Sequence, residues 1–574
     1  MGERVIPEWN RKHRRVIDAP APVPDDEAVA FIDGRGTMQD TSGRGASRRQ
    51  VLAMLGKTLG GAAMYHGMAS LGFAQPSTFS GPLRLDGAPK GSHVLVLGAG
   101  MAGLSAAYEL RNAGYQVTVL EYNGRAGGRS WAIRGGDRYT ELGGAEQVCH
   151  FAKGEYVNPG PWRIPYHHHA MLDYARRLNV PLEPFIQVNY NAYLHSTAAF
   201  GGQPQRYRTV QADYHGHVAE LLAKAANAGR LDGDITAEDK DKLLESLASF
   251  GGLNKDMLYA KGFPSSDRRG FDVAPGGGLM PRAQYSAPGD RAALMRSGLW
   301  AHLAVAHQYE FQSSIFQPKH GMDQIALALY RQVRQHVQFH AKVTKIDQDA
   351  RGVTVTVEDA RLPGQGIRQV KGDWCVCTIP LSILSQVDVT AGPDLLAAIG
   401  AVPYAAAFKA GLQFRRRFWE QDEGIYGGIS YTDQPIGRIC YPPSNFQARG
   451  PAVLLGAYMF GPNAFEFSAM DTEERLREVV RQGGQIHAQY EKEFDNGVTV
   501  GWHRVPWING CLGMWTEQAR AQHYDKLCAI DNRLVLAGEH ASFIGGWQEG
   551  AVLSAHDAIT RLHAKARATT GKAT

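Results

Sequence analysis

Apolar positions along the chain follow two periods. Val94-Leu95-Val96-Leu97 and Gln116-Val117-Thr118-Val119-Leu120 are short β-branched runs, and between them Leu104-Ser105-Ala106-Ala107-Tyr108-Glu109-Leu110 has helical spacing. The segment therefore reads as strand, helix, strand. Val353-Thr354-Val355-Thr356-Val357 alternates like a half-buried strand, whereas Trp374-Cys375-Val376-Cys377-Thr378-Ile379 is almost continuously apolar. On a strand Cys375 and Cys377 share one face, which predicts packing rather than metal ligation. From about Thr209 to Glu310 the period is helical, with Val218, Leu221, Leu222 and Ala225 as the expected apolar stripe. Pro- and Gly-rich breaks near 274–289, 362–366 and 442–451 mark loops, and no internal repeat is visible. The order predicts a mixed α/β fold with a helical insertion.

Composition narrows the picture. A chain of 574 residues with 44% apolar and 20% charged content can bury a large core. Lys plus Arg number 61 against 56 Asp plus Glu, a dispersed net charge of +5 that argues against a nucleic-acid partner. Six cysteines without a C-x-x-C pair do not predict a disulfide framework. The triplet His167-His168-His169 reads as a solvated helix start rather than a metal site, because adjacent helical side chains splay apart. No metal is expected. The 66 glycines follow no G-X-Y period, so they serve turns and close backbone approaches.

Many of those glycines have an address. Gly98-Ala99-Gly100-Met101-Ala102-Gly103 joins the first strand to the helix. Gly98 permits the turn, Gly100 lets backbone approach a pyrophosphate, and Gly103 lets helix and strand touch. Glu121, at the end of the second strand, is placed to accept hydrogen bonds from a ribose. Gly124-Arg125-Ala126-Gly127-Gly128-Arg129 follows and supplies further donors to the pyrophosphate, which points to FAD rather than NAD. Near the other end, Arg533 to His540 is again strand, Gly and acid, and Gly545-Gly546-Trp547-Gln548-Glu549-Gly550-Ala551-Val552 opens a helix whose N-terminus suits the electron-rich end of a flavin.

Residues 1–90 differ from the rest. Ser47-Arg48-Arg49-Gln50 precedes a mildly apolar, Gly/Ala-rich stretch from Val51 to Phe73 that resembles a twin-arginine export signal. Its use implies a periplasmic or secreted protein, and otherwise a cytoplasmic one. Lys57, His66 and the glycines argue against a permanent membrane span.

From Gly91 to Leu562 the sequence resembles the flavin-dependent amine oxidases, and among them the L-amino-acid oxidases. The family marks are the glycine turn, Gly127-Gly128-Arg129, Glu141-Leu142-Gly143-Gly144, Gly321-Met322-Asp323 and Ala537-Gly538-Glu539-His540. The resemblance implies a glutathione-reductase-like, Rossmann-type FAD domain (91–159, 311–395 and 528–566), a mixed-sheet substrate domain (160–208 and 396–527) and a helical domain (209–310). It assigns FAD to Gly98, Gly100, Met101, Ala102, Gly103, Glu121, Gly128, Arg129, Trp162, Arg163, Val343, Gly538, Glu539, Gly546, Trp547, Gln548 and Ala551. The Val343 backbone would contact the adenine.

The subfamily resemblance rests on Gly160-Pro161-Trp162-Arg163-Ile164-Pro165, whose arginine would grip a substrate carboxylate with a bidentate fork. If the insertion that includes Glu146 to Pro159 is ignored, Glu146 takes that position and an amine substrate is favoured. Pro161, Ile164 and Pro165 favour Arg163. By the same resemblance Tyr441 gives the carboxylate a second donor, and Lys409 holds a water beside flavin N5 and stabilises developing superoxide. Trp515 and Trp547 flank the substrate next to Gly546. Met514 stands where covalently flavinylated relatives have cysteine, which implies noncovalent FAD, with Cys511 as the exception. The implied activity is oxidative deamination of L-amino acids, large apolar or aromatic ones with basic ones left open by Glu549 and the unplaced acids, by O2 to 2-oxo acids, ammonia and hydrogen peroxide in a homodimer or higher homo-oligomer. The alternatives are an amine or polyamine oxidase, an amino-acid 2-monooxygenase and a non-redox flavoprotein.

Overall fold

Two β-branched runs separated by a helix form adjacent parallel strands when the helix crosses over between them. The computed structural model describes residues 76–570 and shows this arrangement, while the Arg48-Arg49 signal lies outside the described residues. Strand His93–Leu97 is central in a five-stranded parallel sheet. Gln116–Leu120 and Val337–Gln338 lie to one side, and Trp374–Cys377 and Leu534–Leu536 to the other. Val94, Val96 and Val376 pack on helices Met101–Asn112 and Gln548–Thr570. Leu95, Leu97, Cys375 and Cys377 face the opposite layer, so both cysteines are core residues on one face. That layer includes a four-stranded sheet containing Ala341–Gln348 and Val353–Asp359, in which Val353, Val355 and Val357 are buried.

A seven-stranded mixed sheet carries the rest of the body. Its order is Gln205–Arg206, Tyr193–His195, Gly428–Thr432, Arg438–Tyr441, Ala452–Phe460, Ala407–Phe414, Phe494–Gly501. One face, with Ala407, Cys440, Val453 and Leu455, packs on Trp162 and Trp502. The other, with Phe408, Ile439 and Tyr441, packs on Trp419, Phe467 and Tyr490. This division decides which side chains can reach the site.

Two expectations change. Between 207 and 297 lie helices Tyr207–Asn227, Ala237–Gly251, Phe263–Arg269 and Arg291–Ser297, but the buried face of the first is not the predicted stripe. Leu221 and Leu222 are exposed, and Ala212, Gly216, Ala219, Ala223 and Ala226 are buried. The reason is close packing: a Cβ at Gly216 would collide with the Tyr259 ring, and one at Gly251 with Ala219. Small residues let backbones approach, and a hydropathy stripe does not register them. The described part of the expected N-terminal extension is also integral to the fold. Phe79, Leu83, Leu85 and Ala88 pack on the parallel-sheet core, and Ser77 Oγ donates to Glu549 at 2.5 Å. No helix among the described residues is long and apolar enough to cross a membrane.

Gly216→Leu should lower stability by about 1–3 kcal/mol through overpacking, whereas Leu221→Gln should change it by less than about 0.5 kcal/mol. Thermal melts of the two variants check the inverted face.

Candidate active site

An elongated cavity with an empty volume of about 1640 Å³, its open mouth included, starts at the carboxyl end of the parallel sheet and ends against the seven-stranded sheet. Ligands of open α/β sheets bind outside the carboxyl ends of strands.

The glycine turn builds one end. Gly98 has φ +101°, which favours glycine, and a Cβ at Gly103 would collide with the Gly98 carbonyl oxygen. Gly103 therefore works behind the cavity wall, in the helix–strand contact. A Cβ at Gly100 would instead project into open space. Helix Met101–Asn112 has no side-chain cap and no acid in its first turn, so its N–H groups are available to an anion. Glu121 is fixed by the loop it serves: Oε2 accepts from the Ala99 N–H at 2.6 Å and Oε1 from the Asn123 N–H at 2.8 Å. Arg129 donates to Glu539 at 2.8 Å and to the Cys511 carbonyl at 2.6 Å, and Glu539 Oε2 accepts from the Gly546 N–H at 3.1 Å. Gln548 Nε2 donates to Ser130 Oγ at 2.7 Å. Met101, Ala102, Gly128, Val343, Gly538 and Ala551 also line the cavity.

The other end is aromatic and cationic. Arg163 is buried, donates from Nη1 to Gln187 Oε1 at 2.7 Å, and lies 4.1 Å from the Phe311 ring centre, 5.0 Å from Trp162 and 5.9 Å from Trp547. Lys409 stands one layer behind the wall. Its Nζ donates to the Gly160 carbonyl and, at 3.4 Å, to that of Asn158, and it lies 4.2 Å from the centre of Tyr458 and 4.9 Å from that of Trp162, both of which line the cavity. Burial pushes this ammonium down to about 7; Cys511 and Cys440 oppose the shift and Arg163 adds to it.

Several expected residues lie elsewhere. Tyr441 faces away from the cavity, because strand alternation turns Cys440 toward Trp162 and Tyr441 into the opposite core. Its hydroxyl is bonded to Ser430 Oγ at 2.7 Å and His487 Nε2 at 2.6 Å, so it is not placed to hold a carboxylate in the cavity. Trp515 is also core: its Nε1 donates to the His540 carbonyl at 2.8 Å. At the wall stand Cys511 and Leu512 rather than Met514 and Trp515. Burial pushes the Cys511 thiol up to about 11, away from the nucleophilic thiolate. Glu146 is an exposed partner of Arg138 at 2.8 Å, which leaves Arg163 as the residue in the cavity. Glu549 accepts from the Ala170 and Met171 N–H groups at 2.9 Å and caps a helix start. His167 and His168 are buried rather than solvated, with His168 edge-on to Trp547 at 5.0 Å, and burial lowers both basicities.

Residues not foreseen complete the lining. Tyr458, Phe460, Trp502, Trp507 and Glu310 all reach the cavity, and Trp507 stacks on Tyr122 with centres 5.0 Å apart. Tyr458 and Phe460 could have been found from their shared parity along one strand.

The flavin containing amine oxidoreductase profile matches residues 101–562. The chain belongs to this family. L-amino-acid oxidases of the snakes Gloydius blomhoffii and Bothrops moojeni are 29% identical over 478 residues and 28% identical over 471 residues, each alignment covering 80% of this chain and 87% of the relative. Cyclohexylamine oxidase from Brevibacterium oxydans IH-35A shares the fold, with a TM-score of 0.55 and 16% identity over 83% of this chain and 99% of that one. The cofactor of this flavin amine oxidoreductase is FAD, and the open space at Gly100, the uncapped helix and the fixed Glu121 suit its dinucleotide. Gly100 has φ −78°, which valine tolerates, so Gly100→Val should fold yet lose at least about tenfold in FAD affinity, or ~1.4 kcal/mol. Flavin absorbance per mole of purified protein, with circular dichroism as the folding control, reads the result.

Proposed function

We propose that this flavin amine oxidoreductase oxidises L-amino acids to 2-oxo acids, ammonia and hydrogen peroxide, with its FAD held noncovalently. The observation that carries the reading is Arg163, a buried guanidinium at the aromatic end of the dinucleotide cavity. A simple amine offers that cation no carboxylate. Glu146, the residue that would favour an amine, is on the surface.

The residues divide the work. Arg163 binds the carboxylate through a bidentate fork, and Gln187 and the Phe311 ring fix its plane. Trp162 and Trp547 exclude water around the bound amino acid. When bound, FAD would supply a two-electron acceptor for the Cα hydride, with O2 as the final oxidant that yields hydrogen peroxide. The imino acid that leaves hydrolyses in water to the 2-oxo acid and ammonia. Lys409, protonated below about 7, places a positive charge behind Trp162 where a developing superoxide anion is stabilised.

Arg163→Met should raise KM for L-amino acids on the order of 100-fold, because a buried charge-assisted pair is lost. An unchanged KM would reject the carboxylate role. Reoxidation of the reduced enzyme should slow as pH rises through about 7, where Lys409 loses its proton, and Lys409→Met should be slow and flat with pH. Stopped-flow reoxidation across that range checks it, and a variant that keeps the wild-type profile assigns the titration to another group.

A further inference from the structure

Glu310 belongs to the short turn Tyr309–Phe311 and lines the substrate end of the cavity with Arg163 and Trp547. It is 4% exposed, and its Oε2 is buried without a hydrogen-bond partner. The turn is clamped on both sides: the Tyr309 ring lies 4.5 Å from that of His167, and Phe311 lies under the Arg163 guanidinium. The carboxyl group is thus presented by a rigid support. Burial raises its pKa, while its own N–H and the Arg163 charge oppose that shift. A buried carboxyl oxygen without a donor is costly, and such costs concentrate where a ligand supplies the missing partner.

The position selects which part of a substrate would be that partner. Phe311, the next residue of the turn, lies against the Arg163 guanidinium, so the Glu310 carboxyl and Arg163 line the same end of the cavity. With the α-carboxylate taken by Arg163, Glu310 is left to meet a group elsewhere on the amino acid. Meanwhile the structure moves Trp515, half of the basis for expecting aromatic side chains, out of the cavity.

We infer that Glu310 recognises a cationic side chain, so that the preferred substrates are L-amino acids ending in an ammonium or guanidinium group. The inference rests on the amino-acid reading of the site given above. An ammonium donates to the unpartnered oxygen and neutralises the carboxylate, whereas an isosteric methyl leaves it unpaired.

L-Lysine and L-norleucine share a carbon chain and differ by the terminal ammonium. Anaerobic reduction of the flavin in the full-length holoenzyme should be faster with L-lysine, and N6-acetyl-L-lysine should behave like L-norleucine. Glu310→Gln should lower the L-lysine to L-norleucine ratio of kcat/KM on the order of 100-fold, with Glu310→Leu reversing the preference. An L-lysine to L-norleucine ratio that survives Glu310→Gln, or an equal loss with both, overturns the role of Glu310. If the Gln variant loses its flavin, the comparison of L-lysine with its N6-acetyl form in the wild type decides, and equal rates reject the inference. Reduction by no L-amino acid overturns the proposed function and this inference with it.

Discussion

Burying two cations against one aromatic ring, that of Trp162, is the constraint on which the rest of the site depends. Arg163 and Lys409 are each almost inaccessible to solvent, and taking a charge out of water is among the most expensive things a fold can do. The structure compensates them differently. Arg163 is wrapped by Phe311, Trp162 and Trp547 and held by Gln187, so the plane of its guanidinium is fixed. Lys409 is held by two backbone carbonyls and two ring faces, without a carboxylate hydrogen-bonded to it, which is why its basicity falls toward neutrality. Lys409 thus titrates near physiological pH, while the fixed plane of Arg163 suits it to binding an anion.

The seven-stranded sheet converts that constraint into a choice of residues. Its two faces serve different cores, and alternation along each strand assigns side chains to one or the other. Lys409 and Tyr458 face Trp162, and Phe408 and Tyr441 face away. A shift of one residue at Cys440-Tyr441 is enough to exchange a side chain packed with Trp162 for a core tyrosine bonded to His487. Motif resemblance locates the strand but not its parity, so it does not reveal that Tyr441 faces the opposite core.

Legibility in the sequence follows the regularity of the backbone. The strand, glycine turn and helix from His93 to Asn112 could be read because each glycine answers a geometric need: positive φ at Gly98, helix contact at Gly103 and open space at Gly100. The buried stripe of Tyr207–Asn227 was misread because helix approach there depends on Gly216 and alanines, whose small volume carries little hydropathy. His167 and His168 suggested a solvated helix start, yet tertiary packing against Tyr309 and Trp547 overrides local polarity.

The segment from Trp502 to Trp515 shows where such reading stops. It has no sustained period: a short 3-10 turn is followed by Trp507 at φ +61°, Asn509 at +47° and Gly510 at +153°. Without a period there is nothing to fix register, and a displacement of three residues moved the expected wall from Cys511-Leu512 to Met514-Trp515. The same irregularity is what lets one stretch supply Trp502 and Cys511 to the cavity while Trp515 turns back into the core on the His540 carbonyl. Loops that bend toward a ligand escape periodic reading because they bend. Glu310 escapes for that reason too, because it sits in a three-residue turn that carries no period.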